Sequence, residues 1–160
     1  MKFEEYRDEA VKTALPSARY NDYLVPGIIA ELGEVAGVLA KSVRDDWDEQ
    51  RTTETLQKEI GDVLWFVAVS SDVNNITPSK TERYRRGSDD PVYLVADALF
   101  ALVFSDDLAL TGDSLTEVWY SMKTLAEDSG LVFNNVLRAN LDKLQDRQRR
   151  GVIGGSGDTR

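Results

Sequence analysis

The stretches IIAELGEVAGVL at 28–39 and LQKEIGDVLWFV at 56–67 decide the fold, because both repeat their apolar residues at helical spacing. The apolar positions are Ile28, Leu32, Val35 and Leu39 in the first stretch and Leu56, Ile60, Val63 and Val67 in the second. This spacing places each set on one face of a helix. No part of the chain shows sustained period-two alternation, which is typical of a half-buried strand. The sequence therefore predicts an all-α protein.

Further helices are predicted on both sides of this pair. The six predicted helices cover 2–14, 28–44, 52 or 53 to 74, 92–104, 115–128 and 132–149. Pro16 ends the first helix, and residues 20–25 are predicted to form a loop before Pro26 and Gly27. Ser114 and Glu117 have the spacing of a capping box at the start of the fifth helix. The polar segment 77–91 is predicted to be an exposed loop, and the glycine-rich ending 151–160 a flexible tail.

Length and composition limit the classes of function. At 160 residues the chain corresponds to a single domain, 1–160. It contains no cysteine and no histidine, which excludes disulfides, zinc sites and imidazole-based catalysis. A formal net charge of -9 argues against a nucleic acid polymer as partner. The apolar stretch at 92–104 is too short to span a bilayer, so no membrane is expected and the cytoplasm is the expected location.

The stretches 28–39 and 56–67 carry acidic motifs with the same spacing. Glu31 and Glu34 flank Leu32-Gly33, and Glu59 and Asp62 flank Ile60-Gly61 in the same arrangement. Acids three residues apart share a helix face, here on the shoulder of the apolar stripe. If the stripes pack together, the four carboxylates crowd into partly desolvated space, and a divalent cation relieves their repulsion. Oxygen ligands favour Mg²⁺, with Mn²⁺ as its substitute; the alternative is ordinary surface charge.

The two glycines inside these motifs strengthen the case for a shared site. Glycine in a helix interior costs about 0.5–1 kcal/mol relative to alanine. Gly33 and Gly61 at matching positions therefore indicate a close helix approach or another constraint.

The last predicted helix carries polar groups beside its apolar stripe, in the position that the acids occupy on the two earlier helices. Asn140, Lys143 and Arg147 lie beside its apolar stripe, so an amide and two cations could face the same crevice. Lysine and arginine there could bind phosphate oxygens. The alternative is that both cations pair with Asp142 and Asp146 in solvent.

These three segments resemble the MazG-like all-α nucleoside triphosphate pyrophosphohydrolases. That family is recognised by Glu-x-x-Glu, then Glu-x-x-Asp, then Asn-x-x-Lys on the closing helix, and all three motifs occur here in that order. The resemblance covers about 1–72 and 131–160. It implies a MazG-like helical bundle with a four-helix core, into which 75–129 inserts a pair of extra helices.

The resemblance also implies an activity and a set of site residues. Mg²⁺-dependent hydrolysis of an NTP or dNTP would yield a nucleoside monophosphate and pyrophosphate. The metal ligands and catalytic groups would be Glu31, Glu34, Glu59 and Asp62. The substrate would be contacted by Asn140 and Lys143, with Arg147, Lys41 and Arg44 as further phosphate candidates and Phe66 as a stacking partner for the base. Core packing is the alternative role for Phe66. A homodimer or homotetramer is expected.

Two departures from the family pattern leave questions open. Ala30 stands where many members have a glutamate, so the general base is not assigned. The helices of the 75–129 insertion could replace a partner's helix, pad a dimer interface or cover the base pocket. Among other functions, a ferritin-like di-iron site is disfavoured by the lack of histidine. A non-catalytic helical interaction module remains the alternative.

Overall fold

The structure, a computed structural model, describes residues 1–79, 90–104 and 110–152. Within these ranges it contains α-helices and short 3-10 turns but no β-strand, which confirms the predicted all-α class. The α-helices are α1 (Phe3–Ala10), α2 (Asn21–Arg44), α3 (Glu49–Asn74), α4 (Pro91–Val103), α5 (Gly112–Asp128) and α6 (Phe133–Arg149).

The long helices α2 and α3 form an antiparallel hairpin. Their connection is four residues long, and the Asn21 side chain at the start of α2 donates a hydrogen bond to Asn74 at the end of α3, at 2.9 Å. Six residues of the predicted stripes have no exposed surface: Ile28, Leu32 and Val35 on α2 with Ile60, Val63 and Val67 on α3. The hairpin therefore packs along the two apolar stripes that the sequence shows.

The start of α2 differs from the prediction. Residues 20–25 are not a loop, because α2 begins at Asn21 and Pro26 lies inside it. Pro26 lacks one backbone donor, but the fully buried Leu24 in the first turn stabilises the extended helix. At Gly27 a Cβ would lie 2.1 Å from Cε1 of Phe66, so α3 approaches α2 closely at this point.

Two helix caps also differ from the prediction. Asp48, and not Thr52 or Thr53, caps α3: its Oδ1 accepts a hydrogen bond from the backbone N–H of Arg51 at 2.7 Å. The capping box of α5 pairs Thr111 with Ser114. The predicted partner of Ser114, Glu117, lies one turn further on, where its carboxylate accepts a hydrogen bond from Ser121 at 3.2 Å. In both cases a side chain upstream of the predicted cap accepts a hydrogen bond from a backbone N–H of the first turn, so the helix begins earlier than predicted.

The helices α4 and α5 belong to the predicted insertion and share the common core. They pack against each other, α4 packs on α2, and α5 packs on α3 and α6. Trp119 of α5 makes edge-to-face contacts with Phe3 and Phe133, with ring centroids 4.8 and 5.3 Å apart. Most of the predicted 77–91 loop and of the predicted tail lies outside the described residues, at 80–89 and 153–160.

Among the described residues, one helix is long and apolar enough to cross a membrane. α2 has 24 residues and a window of mean hydropathy 1.5. Core helices of folded proteins can be equally long and apolar, and α2 packs here against α3 and α4.

Candidate metal centre

Three of the four predicted acidic ligands lie together between α2 and α3. One carboxylate oxygen each from Glu31, Glu59 and Asp62 lies within 4.8 Å of the others, and all three residues are half-buried. They meet because packing of the apolar stripes turns both shoulders toward one crevice. Glu34 lies one turn further along α2, is exposed, and is not part of this group. We call Glu31, Glu59 and Asp62 the carboxylate cluster.

The negative charges of the carboxylate cluster repel one another. Burial, followed by the charges of Asp62 and Glu59, raises the pKa of Glu31 to about 7. The Lys143 ammonium opposes this shift, and the more distant Glu34 contributes a small increase. Three oxygen-bearing side chains at this spacing suit a hard dication such as Mg²⁺.

Asp62 is also the centre of a hydrogen-bonded chain that reaches α6 and α1. Its Oδ1 accepts a hydrogen bond from Nδ2 of Asn140 at 3.0 Å and forms an ion pair with Lys143. The buried Asn140 in turn accepts a hydrogen bond through Oδ1 from the Tyr6 hydroxyl at 2.9 Å. The structure thus places two of the predicted substrate-binding residues directly against the cluster.

Gly33 and Gly61, which occupy matching positions in the two acidic motifs, have different surroundings. At Gly61 a Cβ would lie 3.0 Å from Cβ and 3.1 Å from Nδ2 of Asn140, so the missing side chain lets α6 bring Asn140 to Asp62. At Gly33 nothing lies within 4 Å of such an atom. The close approach expected from the sequence is present at Gly61, while at Gly33 the described residues show none.

A cleft of about 230 Å³ opens beside the carboxylate cluster. Its lining includes Glu31, Asp62, Tyr23, Trp65, Phe66 and Arg147. Within the described part of the chain the Arg147 guanidinium makes no ion pair. The alternative pairing with neighbouring aspartates is wrong, because Lys143 pairs with Asp62 and Asp146 pairs with Arg149 and Arg150. A cation is therefore available at the mouth of an acidic cleft.

The remaining predicted contacts lie further from the cluster or have other roles. Phe66 is 7% exposed and packs on Tyr23 and Trp65, with centroid distances of 5.5 and 4.9 Å, so it is largely a core residue that also forms part of the cleft wall. Lys41 is exposed and follows Glu31 by ten residues, about 15 Å along α2. Arg44 is exposed and pairs with Asp45 at 2.7 Å. The structure does not bring Lys41 or Arg44 to the cleft lining.

Sequence reasoning missed several residues at the site. Tyr6 lies in the first predicted helix, and the sequence carries no signal for the partner of its hydroxyl. Tyr23 lies in the segment predicted as a loop. Thr13 lines the cleft and accepts a hydrogen bond from Nε1 of Trp65 at 3.0 Å. None of the cleft's lining residues belongs to α4 or α5, so the described part of the insertion does not cover it.

The chain is similar in sequence to a phage protein. Over 140 residues the chain is 29% identical to the Gene 37 protein of Mycobacterium phage L5, an alignment that covers 86% of this chain and 75% of that protein. No family model matches the chain, and no solved structure matches it. The chain is thus similar over most of its length to a phage protein.

Proposed function

We propose that the protein is a Mg²⁺-dependent nucleotide pyrophosphohydrolase of MazG-like type, which hydrolyses an NTP or dNTP to a nucleoside monophosphate and pyrophosphate. The observation that carries this proposal is the carboxylate cluster: its members Glu31 and Asp62 line one cleft with Arg147, and Asp62 forms an ion pair with Lys143. Acids suited to a hard dication and cations suited to phosphate oxygens are the two halves of a site for a metal-bound triphosphate.

The side chains of the cleft have distinct parts in the proposed reaction. Glu31, Glu59 and Asp62 would hold Mg²⁺, which polarises phosphoryl oxygens and lowers the pKa of water when bound. Arg147 and Lys143 would bind the phosphate oxygens and offset their charge. Water attacks phosphorus, the α–β phosphoanhydride bond breaks with pyrophosphate as the leaving group, and the proton of the attacking water passes to a general base that is not one of the three metal ligands. Tyr23 and Trp65 supply an apolar wall beside these groups.

The buried position of the acids favours this proposal over a non-catalytic interaction module. A scaffold has no need for three carboxylates that repel one another in half-buried space, whereas a cation site does. Calorimetry with Mg²⁺ or Mn²⁺ separates the two functions, because a scaffold shows no specific binding that Glu59→Ala removes. The proposal requires a compartment that contains nucleotides, for which we propose the cytoplasm.

The decisive experiment incubates the protein with a panel of NTPs and dNTPs in Mg²⁺ and separates the products. We expect monophosphate and pyrophosphate, and we expect Asp62→Asn, which removes a charge from the metal site, to lower the rate by about 100-fold or more. Asp72→Asn is the matched control, because Asp72 lies on the same helix but pairs with Arg19 at 3.6 Å, outside the cleft lining. Unchanged turnover in Asp62→Asn, or release of diphosphate and phosphate, would contradict the proposal.

A further inference from the structure

Lys143 supplies a positive charge to the carboxylate cluster. Its ammonium forms an ion pair with Oδ1 of Asp62. Burial and the charges of Asp62 and Glu59 raise the pKa of Glu31. The Lys143 ammonium lowers this pKa, so its charge acts on a second acid of the cluster. A cation of the chain itself therefore already offsets part of the repulsion between the carboxylates.

The two donors on Oδ1 of Asp62 differ in how firmly they are held. Asn140 donates from Nδ2 at 3.0 Å, its side chain is buried, and its own Oδ1 accepts a hydrogen bond from Tyr6 at 2.9 Å. Lys143 donates from the end of a flexible four-carbon side chain that is 27% exposed. Asn140 is thus fixed on Asp62, whereas Lys143 can leave Asp62 by rotating its side chain.

A divalent cation and the Lys143 ammonium compete for the same acids. With a dication held by Glu31, Glu59 and Asp62, the ammonium on Asp62 would be one carboxylate away from two further positive charges. Coulomb repulsion at this separation is strong in half-buried space, where water screens it little. The dication also offsets the carboxylate charge that attracts the ammonium. The ion pair that stabilises the metal-free cluster is therefore unfavourable once a dication is bound.

The cleft offers the Lys143 ammonium another place. Lys143 and Arg147 are four residues apart on α6 and so share one helix face, and Arg147 lines the cleft. Lys143 itself does not belong to the cleft lining, and its ammonium is held on Asp62. A phosphate in the cleft would thus meet the Arg147 guanidinium alone of these two cations. An ammonium released from Asp62 adds a second cation for the phosphate oxygens.

We propose that Lys143 is the counter-ion of the carboxylate cluster in the metal-free protein, and that it leaves Asp62 for the phosphates of the substrate when a divalent cation binds. The metal site and the phosphate site are thereby coupled, because metal binding frees a cation that the phosphates use. By linkage, bound phosphate strengthens metal binding to the same extent. The inference rests on the proposed metal-dependent function and adds the residue that couples its two ligands.

Lysine footprinting of the wild-type chain tests this movement. The protein is methylated with formaldehyde and borohydride at one pH, with and without Mg²⁺, and mass spectrometry of peptides measures the methylation of each lysine. We expect methylation of Lys143 to be about fivefold or more faster with Mg²⁺, and inorganic pyrophosphate added with Mg²⁺ to slow it again. Lys123 is the internal control, because it is also ion-paired, to Glu127, and its side chain is 35% exposed outside the cleft lining. Its methylation should not respond to Mg²⁺.

Lys143→Met tests the competition, because it keeps the length of the side chain and removes its charge. We expect this variant to bind Mg²⁺ about fivefold or more tightly than the wild-type chain in titration calorimetry. A residue that only orients a metal ligand gives the opposite result, since its loss weakens metal binding by about 10- to 100-fold. Lys123→Met is the matched control, which removes the same charge from α5 and should bind Mg²⁺ as the wild-type chain does.

The outcomes separate this inference from the proposed function. Mg²⁺ binding that leaves the methylation of Lys143 unchanged overturns the inference alone, and so does a Lys143 that pyrophosphate does not protect. Equal or weaker Mg²⁺ binding by Lys143→Met overturns it as well. A wild-type chain that binds no Mg²⁺ contradicts the proposed function and the inference together. The footprinting uses the wild-type chain, so it decides the inference even if a variant fails to fold.

Discussion

Asp62 connects side chains from four helices at a single carboxylate. On α3 it lies beside Glu59, across the hairpin it meets Glu31, and from α6 it receives hydrogen bonds from Asn140 and Lys143. Tyr6 of α1 completes the chain by donating to Oδ1 of Asn140, so the amide's NH₂ group points at Asp62. We infer that Tyr6 is a positioning residue, which acts on the cluster through Asn140.

Replacing Tyr6 with phenylalanine tests this role. Tyr6→Phe leaves the buried Oδ1 of Asn140 without a donor, which costs about 1–3 kcal/mol of stability, and frees the amide to turn away from Asp62. Mg²⁺ affinity should fall by about tenfold or more, the range found for groups that orient metal ligands. Titration calorimetry measures the affinity. Ser121→Ala is the control, because it removes a buried hydroxyl on α5 and should lower stability without weakening Mg²⁺ binding.

The raised pKa of Glu31 predicts how Mg²⁺ binding depends on pH. A metal binds the ionised carboxylate, and Glu31 keeps its proton up to a pH of about 7 in the metal-free protein. Mg²⁺ affinity should therefore rise as the pH increases through about 7, with release of a proton that calorimetry in buffers of different ionisation enthalpy detects. Glu31→Gln should bind more weakly and lose this proton release. A wild-type affinity that is constant across this range would show that Glu31 is not a ligand.

At the scale of the helices, replacing Gly33 or Gly61 with alanine is expected to change the free energy of unfolding in opposite directions. Gly33→Ala on α2 adds a methyl group with nothing within 4 Å and should raise the free energy of unfolding by about 0.5–1 kcal/mol. Gly61→Ala on α3 places its Cβ 3.0 Å from Asn140 and pushes α6 outward, a crowding that costs about 1–3 kcal/mol. Urea unfolding measures both changes. Equal stabilisation by the two substitutions would contradict the close approach at Gly61.

The same helices show what the sequence could and could not predict. Helical spacing identified the stripes of α2 and α3, and packing of those stripes brings three of the four acids beside them together, while Glu34 stays exposed. The start of α2 was missed, because Pro26 and Gly27 resemble a helix start and only the packed structure shows Leu24 in the core. The partners of the Tyr6 hydroxyl and of Lys143 were also beyond prediction, since the sequence contains no distances between helices.

At the scale of the whole molecule, the helices that supply the carboxylate cluster differ from α4 and α5, which pack on them. Helices α1, α2, α3 and α6 supply the carboxylate cluster and the chain of hydrogen bonds to Tyr6. Helix α5 completes the core through Trp119, while α4 presents an exposed apolar face.

Because a bound metal stabilises only the folded chain, thermal unfolding of the whole protein should detect Mg²⁺ binding at the carboxylate cluster. Mg²⁺ at about 100 times its dissociation constant adds about 2.7 kcal/mol, or about 5–10 °C at this chain length. The metal-free protein should lose stability as the pH rises from about 4.5 to about 7, because in this range folded Glu31 still holds a proton that the unfolded chain has released. The gain from Mg²⁺ should thus be larger above pH 7 than near pH 5, and calorimetric melting curves at matched ionic strength measure it. Asp72→Asn should keep this gain and Asp62→Asn should lose it; an equal gain in both variants would place the metal outside the carboxylate cluster.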